Sequence, residues 1–231
     1  MTRILKPPAR YDGLADWYDE QNAAAADANR SPLMDLLGQG VGLCLDLGCG
    51  TGQNLQTLRA TGRTVIGLEY SADQLRLARP RTACGEALVQ ADAATLPFAD
   101  EVFTTVAVLW LSTDVDDFTS VLREAARVLR PGGVLAYYGA HPCFNGPHTE
   151  ARDDGRRIIH PTYRTAGPHP PAPWWGKDGI RQRLGMRHLP LADLLNSLTA
   201  AGLSITQAAE PRNDPVPWVL ALRAEKRPQN A

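Results

Sequence analysis

One segment constrains this chain more than any other: Leu45, Asp46, Leu47, Gly48, Cys49, Gly50, Thr51, Gly52. It ends an apolar run that begins at Val41 and precedes a stretch that reads as a helix from about Gln53. Three glycines at alternate positions let a backbone turn sharply and approach a ligand with no Cβ in the way. A helix N-terminus just beyond adds N–H donors that favour a carboxylate or a phosphate. A P-loop would need a Gly-Lys-Ser/Thr ending, and no lysine lies here. A dinucleotide fingerprint would need its third glycine where Gln53 stands.

The surrounding rhythm sets the fold class. Apolar runs recur at Thr64 to Leu68, ending in Glu69, and at Ala87 to Ala91, ending in Asp92. Two more follow at Val102 to Leu111 and at Val134 to Tyr138, the latter announced by Pro131, Gly132 and Gly133. Between them, 115–129 carries Val115, Phe118, Val121, Leu122, Ala125, Val128 and Leu129 at helical spacing. Asp114, Asp116 and Asp117 read as acids of that helix's first turn. Strand, helix, strand at this spacing predicts an α/β fold with a parallel sheet and right-handed crossovers. Runs without alternation fit strands buried on both faces. Residues 10–37 read as helical, with Ser31 and Pro32 as the start of a second helix. Leu191, Leu194, Leu195 and Leu198 form a late amphipathic helix closed by Gly202, and two strands follow at Leu203 to Ala208 and Val216 to Leu222.

Residues 141–189 break the pattern. All five histidines (His141, His148, His160, His169, His188) lie there, in a stretch that is also rich in proline. A long insert of this kind reads as a cap over the sheet edge, with short helices of its own. The chain is expected to form a single domain over 1–231: N-terminal helices in 1–40, a core in 41–140, the cap in 141–189, and a helix with a strand pair in 190–224. Net charge is −1, which gives no field for nucleic acid. No apolar run approaches a membrane span, and the first ten residues lack the apolar core of an export signal. The four cysteines show neither CxxC spacing nor disulfide density, so the expectation is a cytoplasmic protein with reduced thiols and no metal.

The segment Cys44–Gly52 resembles the first motif of class I S-adenosylmethionine-dependent methyltransferases. Glu69, 17 residues after Gly52, resembles the family's acid for both ribose hydroxyls, a task suited to a carboxylate acceptor. Asp92, in the run Gln90 to Phe98, resembles the adenine-binding motif. Arg123 to Val134 resembles the helix and turn before the fifth strand. Tyr11-Asp12 and Tyr18-Asp19 resemble the opening helix, whose tyrosine closes over the methionine end of the cofactor. The resemblance covers about residues 11–140 and the C-terminal strand pair. It implies a Rossmann-like, seven-stranded, mostly parallel sheet with helices on both faces and the last strand antiparallel, the cap following strand five. It implies S-adenosyl-L-methionine as cofactor, held by Tyr18, Asp46, Gly48, Cys49, Gly50, Gly52, Asn54, Glu69, Tyr70, Asp92, Ala93 and Leu109.

The acceptor is read more coarsely. The Asn/Asp-Pro-Pro-Tyr/Phe stretch of exocyclic-amino DNA methyltransferases is absent; Val108 to Thr113 stands there. Trp110 and Leu111 put apolar surface beside the expected methyl group, which suits an aromatic or lipophilic small molecule. Tyr138, Tyr163, Trp174 and Trp175 are further substrate-binding candidates, although the tryptophan pair could equally pack the cap onto the body. Ligands of such folds bind at the carboxyl ends of the strands. His141 directly follows strand five, and His188 lies where the insert returns to the sheet. A hydroxyl acceptor is helped by a base of near-neutral pKa, so these two are the candidate catalytic residues and O-methylation is the favoured reaction. N- or C-methylation of a small molecule, including a quinone-type ring carbon, stays open, as does a non-catalytic cofactor-binding subunit.

Overall fold

A computed structural model describes residues 9–211 and 213–227, apart from the side chain of Ala25. The inference about an export signal rests largely on residues 1–8, which lie outside the described residues. Helix α1 spans Ala15–Leu37 and runs straight through Pro32, so Ser31 and Pro32 start no new helix. Proline removes one helical hydrogen bond, and the carbonyl it would have used belongs to exposed Ala28, where water can take the bond. Burial of Leu33, Leu36 and Leu37 outweighs that loss. The carbonyls at the helix end are bound by arginines: Arg63 donates to Gly38 at 2.9 Å and Arg223 to Leu37 at 3.1 Å.

Strand β1 (Leu43–Leu47) leads through the glycine loop to α2 (Leu55–Ala60), β2 (Thr64–Glu69), α3 (Ala72–Ala78) and β3 (Ala87–Gln90). Then come β4 (Phe103–Leu109), α4 (Phe118–Val128) and β5 (Leu129–Ala140). Asp117 caps α4 by accepting from the Ser120 amide at 2.9 Å. Pro131, Gly132 and Gly133 do not form the loop expected before β5; they sit in a register shift within it, where Phe103 pairs with Leu129 and Thr105 with Val134. The insert forms two short antiparallel strand pairs rather than chiefly helices. β6 (Thr149–Ala151) pairs with β7 (Arg157–Ile159), and β8 (Gly167–His169) with β9 (Met186–His188); its one α-helix is α5 (Ile180–Leu184). The chain ends in α6 (Leu191–Ala200), β10 (Leu203–Ala209) and β11 (Val219–Lys226).

The main sheet has seven strands in the order β10-β11-β5-β4-β1-β2-β3. β1 to β5 pair in parallel, and β11 runs antiparallel to both its neighbours. The sheet is therefore Rossmann-like, with its antiparallel strand last in the chain. Alternate residues feed opposite faces. Leu45, Leu47, Val106 and Val108 pack with α4 and α6, while Cys44, Val65, Ala107 and Tyr138 pack with α1 and α2. Both faces are covered, which is why the strands read as unbroken apolar runs. On α4 alone, Phe118, Val121, Leu122 and Val128 are buried, each contributing about 1.5–3 kcal/mol before entropy. This packing fixes the carboxyl ends of β1 to β4 side by side.

Candidate active site

A cavity of about 440 Å³ opens at those strand ends. That volume falls within the range of small-molecule sites. Gly48 and Gly50 line its floor, with φ of +78° and +56°. A Cβ at Gly48 would lie 2.7 Å from Leu111 Cδ1, and one at Gly50 2.7 Å from Gln74 Oε1. Only bare backbone fits here. The loop's amides are largely spent on the protein: Gly48 and Cys49 both donate to the Leu68 carbonyl, at 2.8 and 2.9 Å, and Gly50 donates to Glu69 Oε2 at 3.1 Å. The amides of Gly48, Cys49 and Gly50 are therefore committed within the protein, and what Gly48 and Gly50 offer the cavity is shape. Asp19, on α1, locks it from above. It accepts from Thr51, from Gln53 Nε2 at 2.8 Å, and from both Arg81 guanidinium nitrogens at 2.7 Å. Gln53, unsuited to a dinucleotide fingerprint, serves this bond instead.

Two acids line the far side. Glu69 ends β2 and accepts three backbone amides: Tyr70 and Ser71 on Oε1, at 2.8 and 2.9 Å, and Gly50 on Oε2. Burial raises its pKa against the pull of those amides. Oε2 keeps capacity for a further bond, and Glu69 lines the cavity. Asp92 follows β3 and holds its own turn by accepting from the Ala94 amide at 2.9 Å. The loop beyond is set by Glu124, which accepts from the Leu96 amide at 2.8 Å, and by Arg127, which donates to the Phe98 carbonyl at 2.8 Å. Tyr70, Ala93 and Leu109 also line the cavity.

The opposite end is aromatic and carries one acid that sequence reasoning misassigned. Tyr11, Tyr18, Trp110 and Asp114 line it. Trp110 sits in the left-handed region (φ 59°), its ring braced edge-on by Tyr138 at 5.8 Å. Tyr11 and Tyr18 pack edge to face at 5.0 Å. Burial pushes the Tyr18 hydroxyl up to about 12 and Tyr11 well above its ordinary value. Asp114 is no first-turn helix acid. It lies four residues before α4 and pairs with Arg181 of α5 at 2.7 Å. Burial works to raise its pKa, but Arg181, with a Tyr11 hydrogen bond, holds it below the carboxylate range.

Several candidate residues lie off the cavity wall. Asp46 is 1% exposed beneath the loop, with neither carboxylate oxygen hydrogen-bonded; burial, then the Glu69 charge, lifts its pKa to about 7. Cys49 turns its sulfur toward Gly67, Gly52 packs on Ala78, and Asn54 precedes α2 with its Oδ1 buried and unpartnered. Tyr138 is fully buried and donates to Asn29 at 3.1 Å. Tyr163, in the insert, accepts from the Leu191 amide at the start of α6 at 3.1 Å. Trp174 stacks on His160 at 4.1 Å, and its neighbour Trp175 is likewise half-buried in the insert. His141 is 4% exposed; its Nδ1 accepts from the Cys143 amide, which leaves the Nε2 proton for Glu210 at 3.1 Å. His188 donates to the Tyr163 carbonyl at 2.7 Å and faces His148, ring to ring, at 4.4 Å. Burial lowers both pKa values, that of His188 to about 4. Neither histidine lines the cavity. No group of His, Cys, Asp or Glu among the described residues could hold a metal ion.

Arg10, Gln74 and Asp114 line the cavity without a sequence motif that marks them as ligand-binding. Gln74 carries no sequence signal. Asp114 has one, in Arg181, but ion-pair partners 67 residues apart are invisible to spacing.

Comparison with known proteins agrees with this geometry. A family profile described as a methyltransferase domain matches residues 45–137. A demethylmenaquinone methyltransferase of Mycobacterium marinum is 36% identical over 133 residues, covering 54% of this chain and 55% of that protein. A fatty-acid O-methyltransferase of Mycolicibacterium smegmatis is 38% identical over 109 residues, covering 46% of this chain and 40% of that protein. The chain thus spans about half the length, or less, of these relatives. In fold, it resembles an S-adenosylmethionine-dependent methyltransferase from Mesorhizobium loti, with a TM-score of 0.70, 24% identity, and coverage of 86% and 97% of the two chains. Over residues 45–137, which hold the glycine loop and both strand-end acids, the chain matches a methyltransferase domain, and in fold it resembles an S-adenosylmethionine-dependent methyltransferase.

Proposed function

We propose that this protein transfers a methyl group from S-adenosylmethionine to an oxygen of a small, lipophilic acceptor. One observation carries the reading: a single cavity joins the Gly48–Gly50 floor and the acids Glu69 and Asp92 to an aromatic end made by Tyr11, Tyr18 and Trp110. The residues fit the cofactor. Glu69 Oε2 has acceptor capacity for a diol hydroxyl, Asp92 flanks the β3 end as an acceptor for an amine, and bare backbone gives room between them. When bound, the cofactor supplies an electrophilic methyl carbon on a sulfonium. The chain's own task is to align the acceptor in line with that carbon and to keep water out.

The lining groups constrain the acceptor. Tyr11 and Tyr18 keep their protons, and Asp114 is ionised and committed to Arg181. No histidine among the described residues reaches the wall, so an oxygen already ionised near neutral pH, such as a carboxylate or an acidic phenol, suits the site. A second reading, transfer to an activated ring carbon, draws on the demethylmenaquinone methyltransferase relative. Calorimetry with S-adenosylhomocysteine tests the donor half. Binding should be present and should weaken about 10- to 150-fold in Glu69→Ala, as expected for a lost charge-assisted contact of about 1.5–3 kcal/mol. No binding by the native chain, or undiminished binding by the variant, would overturn the cofactor assignment. Mass spectrometry after incubation with carboxylate, phenol and quinol acceptors then separates an enzyme from a binding subunit by a product heavier by one methylene.

A further inference from the structure

Two segments that lie far apart in the chain meet beside the cavity. One is residues 9–14, just before α1; Arg10 and Tyr11 line the cavity. The other is α5, in the insert. The two touch directly: Arg10 donates to the Leu184 carbonyl at 2.5 Å, and Arg183 of α5 lies 4.1 Å over the Trp17 ring of α1. Both also converge on Asp114, on the loop after β4. Arg181 grips its carboxylate at 2.7 and 3.2 Å and adds Thr113 at 2.7 Å. Arg10 stands 3.9 Å from the same carboxylate while donating to the Asp114 carbonyl at 3.4 Å, and the next residue, Tyr11, lies close enough for its hydroxyl to help lower the Asp114 pKa.

Asp114 is only 12% exposed, and Arg181 23%. A carboxylate so enclosed is costly unless paired, and its partner's planar fork fixes where it points. If Arg181 withdraws, the carboxylate must turn toward water or toward Arg10. The Arg10 contacts that hold residues 9–14, Tyr11 among them, beside Asp114 then lose a fixed partner. Residues 9–14 have few other ties: Gly13 donates to Asp73 at 3.0 Å, and Asp12 accepts from Ser71 at 2.6 Å, both on the α3 side. On the β4 side, Asp114 is their principal anchor among the described residues.

We propose that Arg181 is a positioning residue: through Asp114 it seats Tyr11, so that the insert and the N-terminal segment close over the cavity as one unit. The insert then controls how long the methyl donor stays enclosed, although α5 itself contributes no lining side chain. This rests on reading the cavity as the methyl-donor site. It makes the cover cooperative, since ordering one segment lowers the cost of ordering the other.

The test uses the full chain and S-adenosylhomocysteine. In Arg181→Met, hydrogen exchange should speed up at the amides of Asp12, Gly13 and Leu14, which Arg181 does not touch. Dissociation of S-adenosylhomocysteine in stopped flow should quicken about tenfold or more. Arg181→Lys, which keeps the charge and loses the fork, should fall between. Asp114→Asn combined with Arg181→Met leaves no buried charge unpaired, so it stays informative if the single variant is unstable; it should show the same fast exchange, with little added effect. Exchange at residues 12–14 unchanged in both variants, with acceleration confined to α5, would overturn the proposal. A native chain that binds no S-adenosylhomocysteine would sink the donor assignment, and the exchange data would still decide whether the two segments are coupled.

Discussion

Asp46 makes the chain's stability depend on pH in a way that can be calculated. Its carboxylate is 1% exposed with no hydrogen-bond partner on either oxygen. Burial, followed by the Glu69 charge, lifts its pKa from 3.8 to about 7. An unfolded chain ionises this group first, so the folded state is weakened wherever the unfolded carboxyl is charged and the folded one is not. The penalty is absent below about pH 4 and grows by about 1.4 kcal/mol per pH unit. It levels off above about pH 7, near 4 kcal/mol in total for a shift of about three units. Asp46→Asn removes the titration but keeps the shape. Urea denaturation of both proteins from pH 4.5 to 8 measures the difference, and the variant should gain steadily on the native chain by about 3–4 kcal/mol over that window. Glu69→Gln should bring the plateau in at a lower pH and make the total penalty smaller, because it removes a charge that helps raise the Asp46 pKa. A stability difference that stays flat across the window would refute the assignment of a buried, unpaired carboxyl at Asp46.

Other expectations concern the insert and the loop. The folded pKa of His188 lies at about 4 against 6.5, so the unfolded chain takes up this proton first as pH falls. The stability it confers is present above 6.5 and lost between 6.5 and about 4, and His188→Gln should flatten that acid limb in thermal melts. Loss of a general base costs roughly 10²–10⁴ in turnover; because His141 and His188 stay off the cavity wall, His141→Gln and His188→Gln should each keep turnover within about tenfold of native. Gly52 has φ +80° and a Cβ added there would lie 3.0 Å from the Ala78 Cβ, so Gly52→Ala should destabilise by about 1–3 kcal/mol in urea and weaken S-adenosylhomocysteine binding.

Sequence periodicity carried the sheet because burial on both faces writes itself into unbroken apolar runs. Glu69 and Asp92 were legible for a related reason: a strand's end fixes where the next side chain stands, and the two strands lie side by side in the sheet. The aromatic end is harder to read. Trp110 is visible from its place after β4, whereas Asp114 reads as a helix acid because its partner lies in the insert, at Arg181. Pro32 misleads because a local stop signal is outweighed by tertiary burial of Leu33, Leu36 and Leu37. His141 and His188 read as residues of the sheet's rim from their places in the chain. What sequence does not carry is each ring's partner, Glu210 for His141 and the Tyr163 carbonyl for His188, and neither ring lines the cavity.

Two buried carboxylates near this cavity therefore differ in state for reasons outside their own sequence neighbourhoods. Asp114 is enclosed but gripped by Arg181, so its pKa falls and it stays charged. Asp46 is enclosed and unpaired, so its pKa rises to about 7. Such divergence is the usual mark of groups with separate roles. Here it separates a carboxylate that holds the cavity's cover from one that lies under its floor and does not reach the wall. The aromatic end is left with two high-pKa hydroxyls and three acids that each have a partner, Asp114 with Arg181, Asp116 with Arg187 and Asp117 with the Ser120 amide. On the proposed reading, reactivity comes from the acceptor's own ionisation, and the fold contributes alignment and the exclusion of water.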